Sequence, residues 1–278
     1  MQLHPQQLED FERDGFLIFP GLLTPEEVSI LRGETDRLAG IEADYIKRER
    51  SGALRTIFRV HEDEGPTRSA AFRALSRTPR LLGTATQLLR DEDLYIFHTK
   101  INLKPAIEGT IWAWHQDFGS WQLDGVPTPN MITYLVMLDD AEEISGALYL
   151  VPESHKLGTV AHIEDAAVGA LNQYSLRRDV LVGALEARKP VAVCGAAGTV
   201  AVFHSNVIHG SGHNMSARDR RQLYVVYNPV SNKQRPVPNP RGDFVASRNH
   251  APIRLGNDGD VLASARAERR VTPESEPA

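Results

Sequence analysis

Apolar and polar positions divide the 278-residue chain into a helical first third and a strand-rich remainder. Residues 5–13 are polar and helix-favouring, and Gly15 breaks them before the short apolar strand and turn FLIFPGLL. Thr24-Pro25-Glu26-Glu27 reads as a helix start: a hydroxyl at the cap, proline at the first helical position and acids in the first turn. That helix is expected to run to about residue 39 and to end near Gly40. Residues 41–66 are charged and weakly periodic, which predicts a mobile flap or surface loop. A second helical stretch covers about 67–90, with Phe72, Leu75, Leu81, Leu82, Leu88 and Leu89 as its apolar positions.

After residue 93 the character changes. The segments LYIFHTKINLKP, TIWAWHQDF, MITYLVMLDD, ALYLVP, VAVCGAAGTVAVFH and RQLYVVYNPV are aromatic or β-branched and punctuated by Gly and Pro, as strands are. Residues 156–188 are less regular, with a helix or an insertion at 165–173. The end of the chain, 264–278, reads as a disordered tail. Helices followed by many short strands predict a mainly β fold, a sandwich or barrel with flanking helices, rather than alternating α/β. One domain is expected over 1–263, with a helical part at about 1–92 and a β core at about 93–255.

Composition narrows the class. Hydrophobic residues make up 41%, enough for a sizeable core, and 31 basic against 36 acidic residues give a net charge of −5. With no long basic run, a nucleic-acid partner is not expected. The one cysteine, Cys194, excludes an intrachain disulfide and a cysteine-rich zinc module, and its VAVC context reads as a buried strand. The first residues, MQLHPQQLEDFERDG, lack an apolar signal core, and no apolar run approaches the roughly 18 residues that span a bilayer. A cytoplasmic protein without membrane contact, monomer or homodimer, is the expectation.

The candidate chemistry lies in WHQDF. His115 and Asp117 are two apart, and on a strand such residues share a face, so both can approach one metal. Two histidines and one carboxylate on one face of an octahedron leave open positions for oxygen chemistry at iron(II). His209, in VIHGSGHN, is a candidate third ligand, and His204, His213, His98 and His155 compete with it. The bland alternative is a core histidine hydrogen-bonded to Asp117. Trp112, Trp114, Phe118 and Trp121 surround the pair, and a polar pair among aromatics needs a partner. Arg220 follows His209 by eleven residues through a turn-rich link, which predicts antiparallel neighbouring strands. Its guanidinium suits a dicarboxylate, with Ser211 adding a hydroxyl. Within the cluster Arg218, Asp219, Arg220 and Arg221, a solvated surface turn is the competing reading.

The text DGFLIFPGLLTPEEV, INLKP, GTIWAWHQDFGSW, DGVPTP, GALYLVPESHK, HGSGHNMSARDRR and NPRGDFVASR resembles the phytanoyl-CoA dioxygenase superfamily of iron(II)- and 2-oxoglutarate-dependent oxygenases. The likeness is greatest to bacterial ectoine-hydroxylase-like enzymes and hydroxylases of free amino acids. The resemblance implies a double-stranded β-helix, the cupin-like jelly roll. It implies iron(II), 2-oxoglutarate and dioxygen as cofactor and cosubstrates, and His115, Asp117 and His209 as the metal ligands. Arg220 then matches the arginine that binds the distal carboxylate of 2-oxoglutarate, with Ser211 beside it. Asn102 and Lys104 fall on the cosubstrate-contacting strand. Trp121, His98, Phe203, Tyr224 and Arg241 fall at substrate-pocket positions.

Departures are informative. Ectoine hydroxylases usually read HSDFETWH before EDGMP, where this chain has HQDFGSWQ before DGVPTP. Related halogenases replace the carboxylate ligand with a small residue, so Asp117 implies oxygen transfer. The expected reaction is hydroxylation of a small molecule, a free amino acid or a secondary-metabolite intermediate, with release of succinate and CO2. An anionic or zwitterionic substrate would need a cation such as Arg241, Arg248 or Lys104. Desaturation or cyclisation with the same cofactors, and a non-catalytic metal-binding cupin-like protein, are the alternatives.

Overall fold

The computed structural model describes residues 1–165 and 173–271. The chain opens with α1 (Pro5–Asp14), β1 (Phe16–Phe19) and α2 (Pro25–Ala39). The first turn of α2 is closed reciprocally: Thr24 Oγ1 accepts from Glu27 N at 3.3 Å, and Glu27 Oε2 accepts from Thr24 N at 2.8 Å. Strands β2 (Ile46–Arg48) and β3 (Leu54–Phe58) follow, then helices α3 (Ala70–Leu75) and α4 (Leu82–Leu89). The remaining elements are β4 (Leu94–Lys104), β5 (Trp112–His115), α5 (Asp117–Trp121), β6 (Ile132–Met137), β7 (Leu148–Leu150), β8 (His162–Asp165), β9 (Gln173–Leu176), α6 (Arg178–Ala187), β10 (Val191–Val193), β11 (Val200–His204), β12 (His209–Ser211), β13 (Arg220–Pro229) and α7 (Asp260–Val271).

Two antiparallel sheets face each other. The larger has strand order β1-β11-β6-β13-β4-β3-β2, and the smaller β10-β7-β12-β5. From β4 to β7 the chain steps between sheets at every connection. It stays in the smaller sheet from β7 to β10, then alternates again through β11, β12 and β13. This is the jelly roll that the sequence led us to expect. Strands β8 and β9 form a separate hairpin inside the β7–β10 connection.

The alternation of side chains explains why the central strands read as unbroken apolar runs. On β6, Ile132, Tyr134 and Val136 pack with Leu31, Leu38, Phe72 and Leu75 of the helical layer. Leu135 and Met137 point the other way, against Leu148 and Leu150 of the smaller sheet. Both faces are covered, so neither can be polar by default.

Several expectations are corrected. Residues 41–66 are not a free flap: β2 and β3 extend the larger sheet, with Thr56 opposite Asn102. The helical stretch 67–90 is two helices, separated by a segment containing Pro79. Cys194 is exposed, because β10 is the edge of the smaller sheet and the chain turns away at Gly195. The tail boundary at 263 falls inside α7, which contacts α3 and α2. Residues 272–278, and 166–172 of the expected helix or insertion, lie outside the described residues. No helix among those described is long and apolar enough to cross a membrane.

Candidate functional site

The site lies between the two sheets. His115 ends β5, and its cross-strand partner is His209 on β12. Their rings are 4.2 Å apart, centroid to centroid. Asp117 does not share the strand, as the spacing suggested; it begins α5, where the chain has already turned. Its Oδ1 nevertheless lies 3.6 Å from His115 Nε2 and 3.8 Å from His209 Nε2.

Each imidazole is fixed in one tautomer. His115 Nδ1 is 2.6 Å from Ala113 O, and His209 Nδ1 is 2.9 Å from Val207 O. A carbonyl only accepts, so Nδ1 carries the proton and Nε2 is left bare toward the common centre. Asp117 Oδ2 accepts from the Thr133 hydroxyl at 3.0 Å, which leaves Oδ1 facing the same centre. The three ligand atoms lie within 4.8 Å of one another, and no other such group occurs among the described residues. The separations are too long for hydrogen bonds and suit three donors around one ion. Burial raises the Asp117 carboxyl, but His209, His115 and Lys100 outweigh it and hold the group below the usual carboxylate range. Burial, and then His115, push His209 down to about 3. Two Nε2 atoms and a carboxylate oxygen turned to one centre fit iron(II).

A second polar cluster lines the inner face of the larger sheet. Cross-strand partners place Arg220 beside Lys104, Gln222 beside Asn102, and Tyr224 beside Lys100. The fully buried Arg220 is therefore no solvated turn; the charge cluster divides, with Arg221 outside on Asp139 and Asp36. Nor are β12 and β13 neighbours, since they belong to opposite sheets and Arg220 reaches the site across the interior. Arg220 donates to Gln222 Oε1 and, at 2.7 Å, to Gly146 O. Its Nε has no partner, and it pairs with no carboxylate among the described residues. Lys104 Nζ donates to Ser211 Oγ at 2.8 Å and to Gly212 O, while Thr56 donates to Asn102 Oδ1 at 3.1 Å. Burial, then Arg220 and Arg55, push the Lys104 amine down to about 6.

A β-bulge between β5 and β12 brings an indole to this face. Ser211 pairs with Trp112 and His209 with His115, so between the pairs one residue of β12 faces two of β5. Trp112 thereby turns inward beneath Arg55 (4.6 Å) and Lys100 (5.2 Å), whereas Trp114 packs outside on Tyr149. A bulge in β4, between the pairs His98–Val226 and Ile96–Tyr227, likewise aims Phe97 and His98 at Trp121.

The other sequence candidates divide. Phe203 stacks 4.9 Å from His209, and Trp121 is buried 5.9 Å from His98. Arg241 is held by the buried Asp124, with Nε at 2.9 Å from Oδ1. His204 and His155 sit together away from the triad, 5.7 Å apart, and His213 donates to Gly109 O. Gln222, Thr133, Lys100 and Arg55 were not among the sequence candidates, and for Lys100 and Gln222 the chain did carry a pattern. The alternation of polar residues at 98, 100, 102 and 104, and at 220, 222 and 224, was the available signal.

Known proteins resemble this chain in sequence and in fold. Residues 11–222 match the family described as phytanoyl-CoA dioxygenase (PhyH). The ectoine dioxygenase of Nocardia farcinica is 34% identical over 269 residues, covering 91% of this chain and 88% of that protein. The L-proline trans-4-hydroxylase of Streptomyces griseoviridis is 33% identical over 265 residues, covering 87% and 92%. The crystal structure of EctD from S. alaskensis with 2-oxoglutarate and 5-hydroxyectoine superposes with a TM-score of 0.80 at 29% identity, over 92% of this chain and 88% of that one. Its form with bound Fe superposes with a TM-score of 0.78. With most of its length matched and the His–Asp–His cluster at the heart of the jelly roll, this chain belongs to the phytanoyl-CoA dioxygenase family.

Proposed function

We propose that this 2-oxoglutarate-dependent dioxygenase hydroxylates an unactivated C–H bond of a small molecule, a free amino acid or a related secondary-metabolite intermediate. Succinate and CO2 are the co-products. The observation that carries the reading is the buried Arg220 guanidinium, without a carboxylate of its own, on the same interior as the His–Asp–His cluster. A buried cation without a counter-ion is costly unless a ligand supplies one. A dicarboxylate that also chelates the metal would do so.

His115, Asp117 and His209 would hold iron(II). Bound iron supplies the activation of dioxygen, coupled to oxidative decarboxylation of the 2-oxo acid. The chain's own residues position the reactants. Arg220, oriented by Gln222, would hold the far carboxylate of 2-oxoglutarate, with Ser211 and Lys104 as further donors. Asn102 and Tyr224 line the next row. Thr133 fixes Asp117 so that one oxygen faces the metal. Trp121 and Phe203 offer apolar walls to the substrate and keep water from the reacting centre. Asp117 supports hydroxylation over halogenation, which needs the carboxylate's place for halide. One relative is named for the hydroxylation of L-proline, and that supports an amino-acid substrate.

The test is succinate formation from 2-oxoglutarate by the iron(II)-loaded protein with ascorbate, across a panel of free amino acids and related metabolites. Stimulation by at least one compound, with a product heavier by one oxygen atom, is expected. A product that has lost two hydrogens would replace hydroxylation with desaturation. Absence of any 2-oxoglutarate turnover, stimulated or not, would favour a non-catalytic metal-binding protein.

A further inference from the structure

The cations that the sequence offered for a charged substrate are engaged elsewhere. Arg241 is clasped by Asp124, Arg248 Nε lies 3.6 Å from Asp243, and Lys104 donates to Ser211 and Gly212. Lys100 is different. Its ammonium lies over the rings of Trp112 (5.2 Å) and Tyr224 (5.3 Å), and it forms no hydrogen bond or ion pair among the described residues. Aromatic faces leave an ammonium's N–H groups unspent, so Lys100 retains donors for an anion.

Two residues earlier on the same inner face stands His98. Its Nδ1 is 2.9 Å from Val245 O and must donate there, so Nε2 is a bare acceptor. That Nε2 is buried and without a partner. It lies within an aromatic frame of Phe97, Trp121 and Phe58, at 5.6, 5.9 and 6.4 Å between ring centres. Burial, and then Lys100, push the imidazole down to about 3, so it stays neutral and cannot offer a donor instead. An unpaired buried acceptor is costly and selects a ligand that brings a hydrogen.

We propose that Lys100 and His98 together read a zwitterionic substrate, Lys100 binding its carboxylate and His98 Nε2 accepting from its protonated amine. This rests on the hydroxylase reading above and narrows its substrate class. It also moves the anion-binding role from Arg241 to Lys100, on the inner face of β4 opposite Tyr224. The intervening apolar part of the substrate would lie against Trp121 and Phe203.

The probes are L-proline and L-leucine, their amides, and their N-acetyl derivatives. Each is tested for stimulated succinate formation by the iron(II)-loaded enzyme with 2-oxoglutarate. A free amino acid should stimulate, and its amide and N-acetyl forms should lose about ten- to hundredfold in kcat/KM. Lys100→Met should raise KM for that amino acid by a similar factor while KM for 2-oxoglutarate stays unchanged, and Lys100→Arg should recover the loss. His98→Phe should blunt discrimination against the N-acetyl form. Amides acting as well as acids would overturn the proposal. So would a Lys100→Met effect on KM for 2-oxoglutarate alone, which would assign Lys100 to the cosubstrate. Basal 2-oxoglutarate turnover that neither amino acid stimulates would overturn it and leave the dioxygenase reading standing. No turnover under any condition would remove the reading on which it rests.

Discussion

Thr133 turns a pair of histidines and a carboxylate into a directed donor set. Its hydroxyl occupies Asp117 Oδ2, so Oδ1 alone faces the two imidazoles. Partners of this outer kind typically contribute about ten- to hundredfold in metal affinity or activity. Thr133→Val keeps the shape and removes the donor; anaerobic iron(II) titration should show a loss in that range, and unchanged affinity would count against the role. Lys104 permits a pH prediction. Its amine is pushed down to about 6, so above that pH it is mostly neutral in the protein without ligand. A dianion beside it favours the ammonium, so binding takes up a proton and affinity falls as pH rises from 6. KM for 2-oxoglutarate should therefore increase with pH above 6. Lys104→Met should flatten that slope, and an equally steep profile in the variant would refute the linkage.

At the scale of elements, precision comes from places where regular structure stops. Gly15 joins α1 to β1 with φ of 84°, and a Cβ there would collide with His155 Nδ1 and meet Val207 Cγ2 at 2.7 Å. Val207 is the residue whose carbonyl fixes the His209 tautomer. Gly15→Ala is expected to destabilise the fold by more than about 1 kcal/mol, seen as a lower unfolding temperature. A variant as stable as the parent would mean that the turn relaxes freely. The sequence announced this turn, the cap at Thr24 and the strand-rich second part, because local chemistry decides them. It could not show that Asp117 leaves the strand, or that one extra residue in β5 turns Trp112 inward, since bulges depend on a partner strand. The alternation of His98, Lys100, Asn102 and Lys104 was visible. Alternating polar residues on a strand ordinarily mean solvent, and here that face is the interior. For the same reason Arg220 looked like part of a charged turn until β13 was seen to carry it into the core. Likeness to a family implied a role for it where spacing alone favoured a surface turn.

In the whole molecule, the helical layer covers one side of the larger sheet and leaves the space between the sheets for chemistry. Among the described residues that space holds the guanidiniums of Arg55 and Arg220 and the amines of Lys100 and Lys104, with Glu49 and Asp117 as carboxylates. Such an interior is an expense for folding that a purely structural jelly roll would not carry, and ligand binding should offset it. Iron(II) with 2-oxoglutarate, each bound only by the folded chain, should thus raise thermal stability; at a hundredfold excess over Kd one ligand contributes about 2.7 kcal/mol. A melting temperature unmoved by both ligands without oxygen would argue that the polar interior serves packing alone. Visible absorption reports whether the His–Asp–His cluster and Arg220 act on one molecule. Adding 2-oxoglutarate without oxygen to the iron(II)-loaded protein should produce a metal-to-ligand charge-transfer band that saturates. In Arg220→Gln the band should need at least about thirtyfold more 2-oxoglutarate, as expected when one partner of a buried charge pair is removed. No band in the parent, or half-saturation unchanged by Arg220→Gln, would mean that the cluster and Arg220 do not share a ligand.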